Sequence, residues 1–524
     1  MMQKEKQMHK VALLPGILCG ILLVYFCAIC LINFSGRPGF YVADMYTDIL
    51  YALKAWEKKS IFPEGWIFGN QLYVMATPTL AALYNAVTAH PQRAMALAAV
   101  TMTIMIFLSF RWLLKPVISD RTAYLFCLVC FMTLTLYFGD SYGMLTGWQL
   151  YFTMCAYYAC YLINALLAFG CYLRADAPVG KSFGIILAVT GMLSFAMGIQ
   201  SLRQTAVMSG PLVCLAGLRF LQDLRRKENW KRRSLWVALG LSLCNFLGLV
   251  CKQLLPLEQT EIFGALAIAS PADMPAAAWE GMQTLVDLLT CETESARVVR
   301  VIVLLLSLAS GVELVLQERK TPSRRGTLLV LLLLSLLMVF FIDVVTTMKV
   351  RNIYYFIFHV LIAWLLTCGF ENRKNPGKWL ALAVFVLSMV LPGMIALKDV
   401  CMQAYFAKYD KAYVVGNYLK EQGYTTAYAR WNAGEGIAIA SDFQVEMGFW
   451  DEDIFEPVPY LCDPAVYETD VDSSVYLFFG EESARLAEEK AAGQGVTLTL
   501  VAYSEEVDTY IYTASEHLMV STKE

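Results

Sequence analysis

The chain has 524 residues, 58% hydrophobic and 16% charged, with a mean hydropathy of +0.53 and a formal net charge of −3. This is too apolar for an ordinary globular protein and is the composition of a polytopic membrane protein, since each transmembrane helix needs about 20 mostly apolar residues. Charge divides the chain in two: residues 398–524 hold 8 Lys and Arg against 23 Asp and Glu, a balance of −15, so the first 397 residues carry +12.

Apolar runs predict eleven α-helical spans, at about residues 11–33, 93–113, 122–138, 148–173, 183–201, 205–220, 235–251, 298–316, 327–347, 353–370 and 379–397. Basic residues select an orientation, because short cytoplasmic loops are enriched in Lys and Arg. Alternate connections carry them: "MMQKEKQMHK", "RWLLKPVISDR", "RADAPVGK", "RFLQDLRRKENWKRR", "QERKTPSRR" and "ENRKNPGK" are all net basic and fall on one side of an eleven-span chain. The N-terminus is expected in the cytoplasm, with the first span an uncleaved anchor in a plasma membrane. The odd number of spans then puts residues 398–524 outside, together with a first outer loop over 34–92 that opens with "YVADMYTD". Within this loop "LYVMATPTLAALYNAVTAH", residues 72–90, is apolar but polar-studded and lacks a charged cytoplasmic flank, which predicts an interfacial or re-entrant helix. The remaining outer connections are residues 139–147, 201–204, 252–297 and 346–352.

After the last span, "AYFAKYDKAYVVGNYLKEQG" reads as an amphipathic helix stopped by Gly423. Strand-like "YTTAYARW", "GIAIAS", "FQVEMGFW" and "SSVYLFFG" follow, then helical "EESARLAEEKAAG" and strand-like "VTLTLVAY" and "TYIYTA". Two regions are therefore expected: a transmembrane domain over 1–397, and an extracytoplasmic α/β domain over 398–524 whose acidity is a solvation device. The 15 cysteines are mostly inside apolar runs, where a thiol acts as a small hydrophobe. "CAIC" and "CLVC" sit within predicted spans and read as coincidence. Four scattered histidines suggest no local zinc motif, and no Walker or Gly-rich phosphate loop is present.

Ionisable residues are scarce in the middle of the spans. Glu313 and Asp343 lie near span ends, and no chain of acids, His or Lys crosses the bilayer, which counts against a coupled transporter. Polar residues gather on the outer side instead: Asp44 and Asp48 in the first loop, Asp140 and Tyr142 in the second, Arg203 in the third, then Lys349, Arg351 and Tyr354. A carboxylate set against cations at one membrane face suits glycosyl transfer from a polyprenyl-phosphate sugar. The acid removes the acceptor's proton and Arg or Lys holds the departing phosphate. The bland readings compete: Asp44 as the N-cap of the following helix, Asp48 as surface decoration or a lysine's partner, Lys349 and Arg351 as headgroup anchors, and Tyr41, Tyr46, Trp56 and Trp66 as an interfacial belt. Glu57, Lys58, Lys59 and Glu64 are expected in solvent.

The order of features also resembles a family. One span after a short tail, a long outer loop opening with Asp, a Pro-containing apolar helix ("TPTLAALYNAV") and a span ending in basic residues look like the membrane glycosyltransferases of GT-C fold. These are the family 39-like group that includes protein O-mannosyltransferases and aminoarabinose transferases. "GIQSLRQTAVMSGPL" and "MKVRNIYYF" resemble that group's outer Arg segments, and "LKEQGYTTAYARWNA" a segment after the last span in bacterial members. The resemblance implies an extracytoplasmic site and inverting transfer from a polyprenyl-phosphate-linked sugar to an extracytoplasmic glycan, lipid or protein. By position it makes Asp44 the base and Arg203 and Arg351 phosphate contacts. Some members use a divalent cation such as Mg²⁺ or Mn²⁺ and others none, so no cofactor is fixed. Members have Asp-Glu at the loop entrance, whereas Asp44 is followed by Met45, and their His-Pro-Pro stretch is "ATPTL" here, which keeps Asp48 beside Asp44 as a candidate base. Asp140, Tyr142 and Tyr354 are the candidate substrate contacts, with Lys349 a third phosphate cation. A lipid-linked glycan transporter or flippase, or an envelope-assembly scaffold, is the non-enzymatic alternative.

Overall fold

The structure, a computed structural model, describes residues 2–35, 43–69, 71–88, 90–137, 146–153, 156, 158–178, 180–227, 232–260, 267–289, 294–321, 323–347, 352–406, 411–430, 434–451 and 455–518. In chain order its helices are α1 (Met2–Ser35), α2 (Ala43–Glu57), α3 (Thr77–Thr88), α4 (Pro91–Leu114), α5 (Arg121–Leu136), α6 (Thr146–Tyr151), α7 (Ala159–Arg174), α8 (Lys181–Gln200), α9 (Gly210–Arg226), α10 (Arg233–Leu254), α11 (Met274–Leu289), α12 (Glu294–Lys320), α13 (Arg324–Val345), α14 (Ile357–Glu371), α15 (Asn375–Phe385), α16 (Leu391–Phe406), α17 (Lys411–Gln422), α18 (Glu435–Ala440) and α19 (Glu481–Gly493). The strands are β1 (Thr426–Arg430), β2 (Glu446–Asp451), β3 (Glu456–Pro457), β4 (Ser474–Phe479), β5 (Leu498–Ser504) and β6 (Thr509–Ala514).

Among the described residues, eight helices are long and apolar enough to cross a membrane. They are Leu13–Ser35, α4, α8, Thr205–Arg226, α10, Val301–Lys320, α13 and the continuous Asn375–Met402. The chain is thus a polytopic helical protein. Three shorter apolar helices, α5, α7 and α14, lie where further spans were expected. Two of the long helices contain a π-helical turn, at Thr205–Ser209 and Val386–Val390.

The tightest crossing is α8 on α10. A Cβ on Gly198 would lie 2.1 Å from the Asn245 carbonyl oxygen, and one on Gly248 would lie 2.1 Å from that of Phe195, so backbone meets backbone here. Beside this crossing the Asn245 side chain is fully enclosed. Its Oδ1 accepts from Thr205 Oγ1 at 2.7 Å and from Ser209 Oγ at 3.1 Å, and its Nδ2 donates to the Ser194 carbonyl at 3.2 Å. These bonds tie the π-helical turn after Arg203 to α10 and supply the partners that a polar group inside a helical bundle requires.

The basic connections meet at one end of the bundle. Asp120 caps α5 by accepting from Thr122 N at 2.9 Å and pairs with Lys378 at 2.7 Å; Arg325 pairs with Glu371 at 2.7 Å and donates to the Val117 carbonyl at 3.0 Å. Asp176 accepts from Ser234 N and Oγ, and Asp223 binds Arg232 through both oxygens. At the other end lie α2, α3, the segment after α2, the turn between α8 and the π-helix, and the C-terminal residues. The helix α3 has twelve residues and buries Thr77, Pro78, Thr79, Ala81, Ala82 and Asn85, while Leu83 and Val87 face outward.

The C-terminal residues build one six-stranded sheet of order β3-β2-β1-β4-β6-β5, in which β1 runs parallel to β2 and β4, and the other pairs are antiparallel. "GIAIAS" is not the strand its alternation suggested. Its residues form α18, because Ile437, Ala438, Ile439 and Ala440 are all buried, between α17 and α2, and no face is left for solvent. The connection from 252 to 297 also contains α11, whose Gly281 lies against Phe340 and Asp343 of α13.

Candidate functional site

Helix α2 is enclosed on two faces by positions one turn apart. Tyr46, Leu50 and Lys54 turn toward the C-terminal unit: the Tyr46 ring lies against Gly436, Leu50 packs between the two cores, and Lys54 pairs with Asp463 at 2.7 Å. Ala52 and Ala55 belong, with Tyr46 and Ile49, to the cluster shared with α3 and α4, and Asp48, one turn before Ala52, is buried as well. Asp48 is 0% exposed, which corrects the surface reading of this residue. A carboxylate taken wholly out of water is costly unless its surroundings or a ligand compensate. Tyr46 and Trp66 are likewise core residues and not an interfacial belt, because α2 and the segment after it are covered by the sheet unit. Glu57, Lys58, Lys59 and Glu64 are exposed, with Lys59 standing 3.0 Å from the Trp56 ring centroid.

One hydrogen-bonded segment, residues 71–75, connects this helix to Arg203. The Tyr51 hydroxyl, one turn from Asp48, donates to the Tyr73 carbonyl at 3.1 Å. Burial, with a smaller effect of neighbouring Asp48, pushes the Tyr51 phenol far above its ordinary value, so it stays a donor. Leu72 N donates to the Gln200 carbonyl at 3.1 Å, and Val74 N and Met75 N donate to Gln200 Oε1 at 3.3 and 3.2 Å. Gln200 Nε2 completes the set by donating to Tyr161 Oη at 3.1 Å.

Arg203 is half-buried at the end of this arrangement. Its Nη1 donates to Gln71 Oε1 and its Nη2 to Tyr354 Oη at 3.4 Å. The guanidinium carbon lies 5.1 Å from the Tyr354 ring centroid and 5.8 Å from that of Tyr158, and the two rings are 6.3 Å apart. Such a cage orients the cation at about 0.5–2 kcal/mol per ring. Two of its features are left out of the protein's own bonding. Arg203 Nε is buried and has no hydrogen-bond partner among the described residues, and the same holds for both side-chain atoms of the adjacent Gln204.

Of the residues singled out in the sequence, Arg203 and Tyr354 are brought into contact, and Asp48 is placed on the helix joined to them through residues 71–75. The Asp44 side chain, Asp140, Tyr142, Lys349 and Arg351 lie outside the described residues. Gln71, Gln200, Gln204, Tyr158 and Tyr161 escaped sequence reasoning. The signal available was a four-residue turn, "SLRQ", preceded by Gln200 and ending in Gln204, with tyrosines earlier at the head of α7.

Among the described residues no group of three or more His, Cys, Asp or Glu converges as a metal site, and the described cysteines are free thiols. The described groups make no cage for Mg²⁺ or Mn²⁺. What they offer is an oriented cation with spare donors, a buried neutral amide and a buried acid two elements away. The chain matches no protein-family model and no curated protein.

Proposed function

We propose that this chain is a GT-C-like membrane glycosyltransferase that moves a sugar from a polyprenyl-phosphate donor to an extracytoplasmic acceptor. The observation that carries the reading is the Arg203 guanidinium, caged by Tyr158 and Tyr354 and retaining an unpartnered Nε among the described residues. A fixed guanidinium fork is suited to phosphate, which accepts two parallel N–H bonds. The end of the bundle that holds Arg203 is the end opposite the basic loops. Under an eleven-span topology with those loops in the cytoplasm, Arg203, α2 and the C-terminal α/β domain face the outside of the plasma membrane.

In this chemistry an Asp of α2, Asp48 or Asp44, takes the proton of the acceptor hydroxyl as its oxygen attacks the anomeric carbon. The bond from that carbon to the phosphate oxygen breaks with inversion, and the phosphate leaves with the electron pair, stabilised by Arg203. The donor's lipid tail stays in the bilayer.

Sugar transfer from a polyprenyl-phosphate sugar onto cell-envelope acceptors, measured in membranes of cells expressing the chain, tests the reading. Asp48→Asn is expected to lower the rate at least about 100-fold if Asp48 is the base, and Asp44→Asn if Asp44 is. Full activity in both variants removes the mechanism. An unchanged envelope in cells lacking the protein, with no lipid-linked sugar accumulating, removes the function.

A further inference from the structure

The Gln204 side chain is 0% exposed, yet neither Oε1 nor Nε2 has a hydrogen-bond partner among the described residues, and it makes no cap to the π-helical turn that it precedes. Folded proteins rarely leave a buried amide in this state, because its desolvation is not returned by any bond. A π-helical turn is itself unusual and concentrates at functional sites. Here it starts one residue after Gln204 and is held on Asn245, so the position of the amide is fixed by the bundle.

The chemistry of the two neighbours differs. Arg203 only donates, which suits the oxygens of an ionised phosphate. An amide needs a partner that both donates to its oxygen and accepts from its nitrogen, and an ionised phosphate offers no donor. A hydroxyl does both, and adjacent sugar hydroxyls satisfy the two amide atoms together. We infer that Gln204 is a sugar-binding residue that reads hydroxyls of the donor's sugar while Arg203 holds its phosphate. The inference rests on the donor-site reading of Arg203 and names the group that distinguishes a glycosylated lipid phosphate from a bare one.

The test uses full-length protein in lipid nanodiscs with four probes: farnesyl phosphate and its glucosyl, mannosyl and galactosyl phosphodiesters. The wild type is expected to bind at least one glycosylated probe more tightly than farnesyl phosphate. Gln204→Met keeps the volume and removes the amide. It should weaken that glycosylated probe about tenfold and leave farnesyl phosphate unchanged. Without any ligand, the same variant should melt at the wild-type Tm or about 1–3 °C above it, because an unsatisfied buried group has been removed. A purely structural glutamine gives the opposite sign, so a lower ligand-free Tm, or failure of Gln204→Met to fold, overturns the inference. Affinity that ignores both the sugar and Gln204 also overturns it, while leaving Arg203 as a phosphate site. Failure of the wild type to bind any of the four probes overturns both readings.

Discussion

Replacing Arg203 with alanine removes a guanidinium that donates to Gln71 and Tyr354 and stands against two tyrosine rings. Its remaining donors, Nε among them, are the ones free to bind an anion. A hydrogen bond to a charged group contributes about 1.5–3 kcal/mol, so a two-pronged phosphate contact is worth about 3 kcal/mol at the lower end. Arg203 is only half-buried, and screening by solvent reduces this to about 2–3 kcal/mol. Since 1.4 kcal/mol is a factor of ten, Arg203→Ala should weaken farnesyl phosphate about 30- to 140-fold, and Arg203→Lys, which keeps the charge without the fork, about tenfold. The assay is calorimetric titration of farnesyl phosphate into nanodisc-embedded protein at near-physiological salt, where weak surface attraction is screened. Arg219 serves as control: it bonds Thr327 and Tyr172 at the far end of the bundle, and Arg219→Ala should bind as wild type. A folded Arg203→Ala protein that retains affinity within a factor of two refutes the assignment of the phosphate site.

Two further substitutions test the frame around the site. Gly198→Ala places a methyl 2.1 Å from the Asn245 carbonyl oxygen, which is backbone and cannot swing aside, so α8 and α10 must separate at a cost of about 2–3 kcal/mol. Gly184→Ala on the same helix has nothing within 4 Å and should be neutral or slightly stabilising, and thermal unfolding of the two variants side by side decides the point. Lys54→Met breaks the pair with Asp463, whose side chains are 21% and 23% exposed, and should cost about 0.5–1 kcal/mol at neutral pH. Burial works to lower the Lys54 pKa, but the bond and charge of Asp463 outweigh it, and the folded value lies above the ordinary 10.5. The stabilisation is therefore complete below pH 10.5 and is lost as pH rises through the folded value, so the Tm difference between wild type and Lys54→Met should close in that alkaline range. A difference that stays constant to pH 11 or beyond would show that the contribution of Lys54 is packing of its stem and not its charge.

How much was legible follows from which physical signals are local. A span is declared by its own apolar run, and the basic connections by their own charge, so the helical bundle and the clustering of its basic loops could be read directly. The burial of Asp48 could not. On an isolated α2 an acid reads as a solvent-facing group, and its burial depends on elements brought against the helix from elsewhere in the chain, α3, α4 and α18 among them. The glutamines of the site gave no signal of their own, since a neutral amide gains meaning only from what lies opposite, and Gln71 and Tyr354 approach Arg203 from 132 and 151 residues away. Arg203 was legible because a cation beside apolar spans is conspicuous in any context. The helix α11 is hidden in the sequence because Pro271 and Pro275 give its segment the local signature of a connection, although its residues cover the end of α13.

The helix that carries Asp48 and the residues around Arg203 are joined by one brace. Residues 71–75 bond to Gln200 and Arg203 at one end, and the Tyr51 hydroxyl ties them to α2. The C-terminal unit grips both parts: the Cys462 carbonyl accepts from Ile67 N at 2.9 Å, Tyr460 lies against Gly69, where a Cβ would stand 2.9 Å from its ring, and Asp463 holds Lys54 of α2. Residues 460–463 therefore touch the helix that carries the acids and the segment that carries the cation's partner. In the proposed reaction the acid acts on the acceptor and the cation on the leaving phosphate, on opposite sides of one anomeric carbon, so their separation must be fixed to a fraction of an ångström. Neither α2, which is amphipathic and short, nor a connecting loop can fix that distance alone. A sheet unit seated across both can, and under the proposed reaction that is the part the C-terminal residues would play, without contributing a reacting group.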